Sequence, residues 1–214
     1  MENCAHYKTE RVYMDTMTSK SKIILASASP RRREILSSLG VDFEVLTADT
    51  DESCDISDPS EYARELARRK GQAVYSRLCE AERDAVIISA DTIVVCDREI
   101  LGKPRDRDDA IRIIKKLGGR AHSVITGVGV TVGGVTYTDH SETFVYVDEI
   151  PDSEIERYVD SGDPMDKAGA YGIQGAFSRW VRGIDGCYFG VVGLPVNCLA
   201  SLYMKVTGRE LCGN

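Results

Sequence analysis

The residues with the clearest chemical potential form one short run, from Ser27 to Arg33, which reads SASPRRR. Apolar residues precede it from Ile23 to Ala26, and apolar residues at helical spacing follow it as far as Gly40. The pattern predicts a strand, a turn and a helix, with Ser29 as the N-cap and Pro30 as the first helical residue. Three arginines would then occupy the first helical turn, where the helix dipole favours anions over further cations. A bound phosphate chain resolves this conflict, and the alternative is a basic turn exposed to solvent.

A carboxylate, Asp91, interrupts the apolar run between Val86 and Val95, with Ser89 and Thr92 close to it. An unpaired carboxylate is costly to bury, so it is tolerated where it binds a cation or accepts a proton. A site rich in phosphates needs both of these roles to be filled. In the alternative interpretation one strand ends at Ser89 and Asp91 is a turn residue, and the pattern alone fits both.

Two further charged segments could serve a phosphate site, although each taken alone is more typical of a solvent-exposed turn or loop. Lys103 lies in a Gly-Lys-Pro turn, which is not a P-loop because Pro104 stands where that motif needs serine or threonine. Asp49, Asp51 and Glu52 form an acidic cluster, and a run of charges is usually a solvated loop. Proximity to phosphates would give both segments a function.

The segment 163–175, DPMDKAGAYGIQG, has the composition of a ligand-binding loop. Its glycines allow the backbone to approach a ligand closely, and it also carries Asp166 and Lys167. The amide of Gln174 can both donate and accept hydrogen bonds, as the edge of a nucleobase requires. The alternative is an ordinary glycine-rich connection.

The elements that position these residues alternate between strands and helices along the chain. A Gly133-Gly134 turn between alternating apolar segments adds a hairpin, so the sequence predicts an α/β fold with a mixed sheet. Predicted strands cover 23–26, 41–45, 86–88, 93–95, 128–132, 135–137 and 144–147, with two more near Trp180 and Val191. Predicted helices cover 30–39, 58–78, 110–117, 154–159 and 195–205.

Composition and charge restrict the class of protein. The 214 residues are 43% hydrophobic, which suits one large domain or two closely joined lobes. A formal net charge of -7 argues against a protein that binds nucleic acid or an anionic membrane surface. Without an apolar run of about 18 residues or a signal peptide, the chain is expected to be cytoplasmic. Seven cysteines without a CxxC pair predict neither a disulfide framework nor structural zinc, and His122 is expected to be structural.

Taken together, these segments resemble the Maf-like nucleotide pyrophosphatases, in order from Ile23 to about Lys205. The matching stretches are LASASPRRREIL, ADTDES, ELARRKGQA, SADTIVV, GKPRD, LGGRAHSVITGV, DPMDKAGAYGIQG and VVGLP. The resemblance implies a fold of the inosine triphosphate pyrophosphatase type, with two lobes around a central cleft, and a homodimer. The family domain would span residues 21–208, between a flexible extension at 1–20 and a short tail at 209–214.

The resemblance also implies a role for each matching residue. The positions that would hold the triphosphate are Ser27, Ser29, Arg31 and Arg32, and the phosphate-contacting lysine is Lys103. The proton acceptor is Asp91, and other charged positions of the site are Glu52 and Lys70. The residues beside the base are Asp166, Lys167 and Gln174, and the positions that set specificity are Arg31, Thr92 and Gln174. The catalytic set would be Asp91, Glu52, Arg32 and Lys103.

The activity implied by this resemblance is hydrolysis of dTTP and UTP, or of modified pyrimidine nucleotides, to the monophosphate and pyrophosphate. The expected cofactor is Mg²⁺ or Mn²⁺, held by Asp91 and Glu52, since hard oxygen ligands suit these ions. One alternative is a pyrophosphatase of the same family that acts on methylated GTP. Another is a nucleotide-responsive regulator of cell division that binds a triphosphate without cutting it.

Overall fold

The computed structural model of the protein describes residues 21–51 and 53–212, and in that part helices and strands alternate around a seven-stranded sheet. The strands are β1 (Ile23–Leu25), β2 (Glu44–Val45), β3 (Val86–Cys96), β4 (Glu99–Leu101), β5 (Ala121–Val132), β6 (Val135–Val147) and β7 (Val181–Asp185). The α-helices are α1 (Pro30–Ser38), α2 (Pro59–Tyr75), α3 (Arg107–Leu117), α4 (Asp152–Asp160), α5 (Tyr188–Val192) and α6 (Val196–Thr207). Short 3-10 helices lie at Glu80–Glu82, Asp163–Asp166, Ala168–Ala170 and Ala176–Trp180. Within these residues, no helix is both long enough and apolar enough to cross a bilayer.

The order of the strands makes the sheet mixed. It runs β2-β1-β3-β5-β6-β7, and β4 pairs with the C-terminal end of β3. β1 is parallel to both β2 and β3, whereas β3, β5, β6 and β7 pair antiparallel in succession. Gly133 and Gly134, between β5 and β6, have φ values of 57° and 84°, as a tight two-residue hairpin turn requires. The predicted α/β class with a mixed sheet is confirmed.

The central strand β3 divides its side chains between two packed faces. Ile93 packs with Ala63 of α2 on one face, while Ile88 and Val94 belong to the main core on the other. Helix α2 lies very close to β5. A Cβ atom at Gly127 would stand only 2.3 Å from the carbonyl oxygen of Ala63. Glycine is therefore the residue that allows this helix to approach the sheet.

The structure decides between the two interpretations of Asp91. A single continuous strand, β3, covers both predicted segments, so the alternative interpretation, with a strand end at Ser89 and Asp91 in a turn, is wrong. The strand continues because each polar side chain in it has a partner. Ser89 is fully buried and donates to the carbonyl oxygen of Ala67 at 2.7 Å, while Asp91 and Thr92 have the partners described below.

Other predicted strand limits also differ from those observed. The predicted strand at 144–147 is the second half of β6, which runs unbroken from Val135 because it pairs with β5 along its whole length. The predicted strand at 41–45 is reduced to Glu44–Val45, which pairs with β1.

The predicted strand near Val191 is wrong, because that residue lies in helix α5. Cys187 caps this helix, its sulfur accepting a hydrogen bond from the amide of Gly190 at 3.3 Å. Gly193 ends the helix with a φ of 124°, a conformation that an apolar strand pattern does not reveal.

Candidate active site

The SASPRRR run lies where β1 leads into helix α1. The helix begins at Pro30 with Ser29 in the extended N-cap conformation, as predicted, although the Ser29 side chain makes no capping hydrogen bond. Its first turn carries three arginines and no acidic residue. Arg33 is exposed, while Arg31 and Arg32 are half-buried. The amides at a helix N-terminus and adjacent guanidinium groups form a strong anion site, so this turn is suited to phosphate.

Arg32 connects this turn to two distant parts of the fold. Its Nε donates to the carbonyl oxygen of Gly193 at 2.7 Å, and its Nη1 donates to Ser27 Oγ at 3.1 Å. Its Nη2 donates to Thr92 Oγ1 of β3 at 3.0 Å. Three acceptors around one planar group fix the orientation of that group. Arg32 thus contacts both Ser27 and Thr92, and all three were predicted to be site residues.

Asp91 forms an ion pair with Lys70 of helix α2. Lys70 Nζ donates to Asp91 Oδ1 in a short contact, and the side chains are 12% exposed for Asp91 and 21% for Lys70. A buried carboxylate needs such a partner, since removing one charge of a buried pair leaves the other uncompensated. The structure therefore brings together the residue expected to accept a proton and a second predicted site residue.

The glycine-rich loop reaches the arginine turn through an ion pair. Arg31 Nη1 lies 3.9 Å from Asp166 Oδ2, at the outer limit for such a contact. Lys167 Nζ is held by Asp166 Oδ1 at 2.7 Å and by Asp163 Oδ1 at 3.1 Å. The hydrogen bond from Lys167 and, more weakly, the charge of Arg31 lower the pKa of Asp166. A ligand phosphate at Arg31 would compete with this carboxylate.

Lys103 and Gln174 stand on exposed turns at the edge of these contacts. Neither side chain makes a hydrogen bond or ion pair within residues 21–51 and 53–212. The Lys103 turn is nevertheless fixed to the glycine-rich loop, because the amide of Gly169 donates to the carbonyl oxygen of Gly102 at 3.0 Å. Both side chains are therefore accessible to a ligand, and the turn that carries Lys103 is anchored.

Glu52 lies outside the described residues, yet both of its neighbours in sequence are held by Arg69 of α2. Arg69 Nη1 donates to the carbonyl oxygens of Asp51 at 2.9 Å and of Ser53 at 2.7 Å. Its Nε donates to Glu65, whose pKa is lowered to about 2, mainly by its hydrogen bonds to Arg68. Arg69 was not predicted as a site residue, because one arginine among several on a helix carries no distinguishing signal.

The buried His122 has one hydrogen-bonded ring nitrogen. Its Nε2 lies 2.7 Å from the hydroxyl of Tyr171, which belongs to the glycine-rich loop, whereas its Nδ1 is buried with no partner among the described residues. Burial lowers the pKa of His122 to about 4, so the imidazole is neutral near pH 7. The contact joins the loop to β5, in agreement with a structural role for this histidine.

Comparison with known sequences identifies a family and several relatives that share one name. A family model described as Maf-like protein matches residues 22–206. A dTTP/UTP pyrophosphatase of Thermoanaerobacter sp. strain X514 is 46% identical over 186 residues, which cover 86% of this chain and 96% of that protein. Proteins of the same name from Koribacter versatilis and Chromobacterium violaceum are 49% and 48% identical, and the alignments cover 81% and 91% of this chain and 89% and 98% of theirs.

Likeness to solved structures is weaker. The Ham1 protein of Staphylococcus aureus aligns with 59% of this chain and 71% of its own, at 13% sequence identity and a TM-score of 0.42. Likeness at that level has no bearing on activity. The sequence relatives and the geometry of the arginine turn are the observations that bear on what the site does.

Proposed function

The chain belongs to the Maf-like protein family, and from that membership we propose that it is a nucleoside triphosphate pyrophosphatase acting on dTTP and UTP. The observation that carries the proposal is the contact between the arginine turn and the strand that bears Asp91, made by Arg32 and Thr92. It fixes the arginine turn to β3 next to Asp91, at the edge of β3 between its pairings with β1 and β4, where a bound triphosphate can pass from one face of the sheet to the other. The relatives named dTTP/UTP pyrophosphatase support the choice of substrate.

In this proposal the triphosphate binds at the N-terminus of α1. The helix amides, Ser27 and Ser29 provide hydrogen-bond donors, and Arg31 and Arg32 provide positive charge. Lys103, exposed on its anchored turn, reaches the phosphates from the other side. Because its net charge is -7, the protein depends on such local cations to attract an anionic substrate.

The proposed reaction is attack of water on the α-phosphorus. Lys70 binds Asp91 Oδ1, and the water is held by the other carboxylate oxygen, which takes its proton. A bond forms between the water oxygen and phosphorus, while the bond from phosphorus to the oxygen that bridges the α and β phosphates breaks. The leaving pyrophosphate takes that electron pair, and Arg31, Arg32 and Lys103 stabilise its charge.

The residues present fit a divalent cation that is shared with the substrate. The described residues contain no group of three or more potential metal-binding side chains, so they do not form a cage made of protein alone. Mg²⁺ usually binds one or two carboxylates together with substrate phosphates and waters, and Asp91 with Glu52 would meet that need. When bound, such an ion neutralises phosphate charge.

Recognition of the base is assigned to the glycine-rich loop. Asp166 lies beside Arg31 and binds Lys167, while Thr92 contacts Arg32. The exposed amide of Gln174 can both donate and accept hydrogen bonds. The imide edge of thymine or uracil offers the complementary set of groups. We further place the activity in a domain spanning 21–208, in a cytoplasmic homodimer that binds neither nucleic acid nor membrane.

The test is an assay with purified protein, Mg²⁺ or Mn²⁺, and dTTP, UTP, CTP, dATP, GTP or methylated GTP, run in water labelled with ¹⁸O. Label in the monophosphate, with pyrophosphate as the other product, is expected for dTTP and UTP. Label in pyrophosphate would place the attack on the β-phosphorus, and release of inorganic phosphate would indicate a phosphatase. A preference for methylated GTP would overturn the substrate assignment alone.

The Asp91→Asn variant tests the proposed base. It should bind UTP close to normally and lose at least about 100-fold in turnover, since general base catalysis contributes on that scale. The matched control is Asp97→Asn, which removes an exposed carboxylate just after the same strand. Full activity of Asp91→Asn would show that the base is elsewhere, and nucleotide binding without turnover by the unaltered protein would favour the regulator.

A further inference from the structure

Thr126 lies directly behind the contact between Arg32 and Thr92. It is a fully buried residue of β5, and its Cα pairs with that of Thr92 in the sheet. The two hydroxyl oxygens are 2.9 Å apart. Thr126 Oγ1 also lies 2.8 Å from the carbonyl oxygen of Gly190, in helix α5.

The direction of these hydrogen bonds follows from which groups can donate. A carbonyl oxygen only accepts, so the single hydroxyl proton of Thr126 is donated to Gly190. Thr126 must then accept the proton of Thr92, and Thr92 accepts from Arg32, whose guanidinium only donates. The three hydrogen bonds therefore all point in one direction, with Arg32 donating to Thr92, Thr92 to Thr126 and Thr126 to Gly190.

We propose that Thr126 is a positioning residue for the phosphate site, acting on Arg32 through Thr92. This inference rests on the proposed function only in assigning phosphate to Arg32. By taking the Thr92 proton, Thr126 turns an oxygen lone pair of Thr92 toward Arg32 Nη2. Without that acceptor, the Thr92 hydroxyl is free to rotate, and the hydrogen bond that orients Arg32 Nη2 is weakened.

The same strand contains a matched control. Thr131 is also fully buried in β5, and its hydroxyl oxygen lies 2.8 Å from that of Thr136. It stands five positions away from Thr126, so its side chain lies on the other face, where it is close to Gly71 of α2. Removing either hydroxyl breaks one threonine pair, but only Thr126 is linked to Arg32.

The experiment compares Thr126→Val, Thr126→Ser and Thr131→Val. The dissociation constant for pyrophosphate is measured by calorimetry, and KM and kcat are measured for UTP. Thr126→Val should raise the pyrophosphate dissociation constant and the KM for UTP about tenfold, the effect of one hydrogen bond to a charged group, with a smaller change in kcat. Thr126→Ser keeps the hydroxyl and should restore both values, and Thr131→Val should match the unaltered protein. Should Thr126→Val fail to fold, Thr126→Cys replaces it and is compared with Thr126→Ser, since both lack the methyl group and the thiol is only a weak donor and acceptor.

Normal pyrophosphate binding by Thr126→Val would overturn the inference, as would equal weakening by Thr131→Val or no rescue by Thr126→Ser. Pyrophosphate binding is measured without turnover, so the two proposals fail separately. If the unaltered protein hydrolyses no triphosphate, the proposed function fails while the contrast between Thr126 and Thr131 still supports the inference. If it hydrolyses UTP and the contrast is missing, only the inference fails.

Discussion

Asp91 and Thr92 are adjacent in β3, and their side chains lie on opposite faces of the sheet, Asp91 against Lys70 of α2 and Thr92 against Arg32 of α1. One strand thus delivers the proposed base to one face and an anchor for the arginine turn to the other. A shift of the strand by one residue would exchange the two and place the carboxylate against Arg32. The register of β3 is therefore part of the site.

Replacing Arg32 by lysine should impair the enzyme far more than the same change at Arg33. A lysine ammonium cannot donate in one plane to Gly193, Ser27 and Thr92, whereas Arg33 is exposed in the same helical turn. Losing two charge-assisted hydrogen bonds corresponds to a fall of about 100-fold or more in kcat/KM for UTP. Steady-state kinetics of Arg32→Lys and Arg33→Lys measure this, and equal effects would contradict it.

Removing Lys70 should destabilise the fold through Asp91. Lys70→Met leaves a buried carboxylate unpaired and should lower the free energy of unfolding in urea by about 3 to 5 kcal/mol. Adding Asp91→Asn should recover most of that loss, because the remaining charge is then removed. The exposed pair Lys115 and Asp152 is the control, where Lys115→Met should cost less than about 1 kcal/mol. A double variant no more stable than Lys70→Met would show that charge is not the cause.

Stability should fall as the pH drops from about 6.5 to about 4 because of His122. Burial lowers its pKa from 6.5 to about 4, so in this window the unfolded chain binds a proton that the folded chain does not. The stability that depends on neutral His122 is fully present above about pH 6.5. By about pH 4, the free energy of unfolding has fallen by roughly 3 kcal/mol. His122→Gln should flatten the dependence of unfolding free energy on pH in this window, and NMR titration should give a pKa near 4. A measured pKa near 6.5 for His122 in the folded protein would show that burial does not lower it.

Gly169→Ala should be more damaging than Gly162→Ala. Both glycines have positive φ, so alanine costs about 1 to 2 kcal/mol of backbone strain at either. A Cβ at Gly169 would also stand 2.7 Å from Val94 Cγ2, whereas Gly162 has open space. The clash should add about 1 to 3 kcal/mol to the loss of stability and raise the KM for UTP by moving the Lys103 turn. Thermal unfolding and kinetics of both variants test this, and equal melting temperatures would exclude the clash.

Arg69→Ala should raise the concentration of Mn²⁺ needed for half-maximal activity. Arg69 holds the backbone on both sides of Glu52, a proposed metal ligand, so its loss should weaken metal binding by about tenfold, with turnover at saturating Mn²⁺ less affected. Among the described residues, Arg68 shares the partner Glu65 but makes no hydrogen bond with that loop, so Arg68→Ala is the matched control. An unchanged Mn²⁺ requirement in Arg69→Ala would separate the loop from the metal site.

The strand and helix limits that were predicted well are those with strong local signals. Asp58 caps α2 by accepting from the amide of Glu61, and Gly133-Gly134 forms the hairpin turn. The continuity of β3 through Asp91 was not predictable, because it depends on Lys70, Arg32 and Thr126 reaching the strand from other elements. Periodicity describes a segment alone, whereas a polar residue inside a strand is stabilised by partners that the fold supplies.

In the candidate site, too, residues with strong local signals were predictable and residues that depend on distant contacts were not. The arginine turn was predictable because an N-cap serine, a helical proline and three arginines conflict with the helix dipole unless an anion binds there. Thr126 and Arg69 were missed, since one threonine in a strand or one arginine on a helix has no unusual spacing. Their importance comes from contacts across 34 and up to 18 positions in sequence.

The hydrogen bond from Arg32 to Gly193 joins residues 161 positions apart, close to the beginning and the end of the family domain. Contacts between residues this distant in sequence form late in folding. Closing so long a loop costs chain entropy, and that cost must be met before the contact stabilises the fold. A nascent chain that has not yet reached Gly193 therefore cannot complete the arginine turn. The arginine turn is therefore completed only when synthesis of the domain is nearly finished.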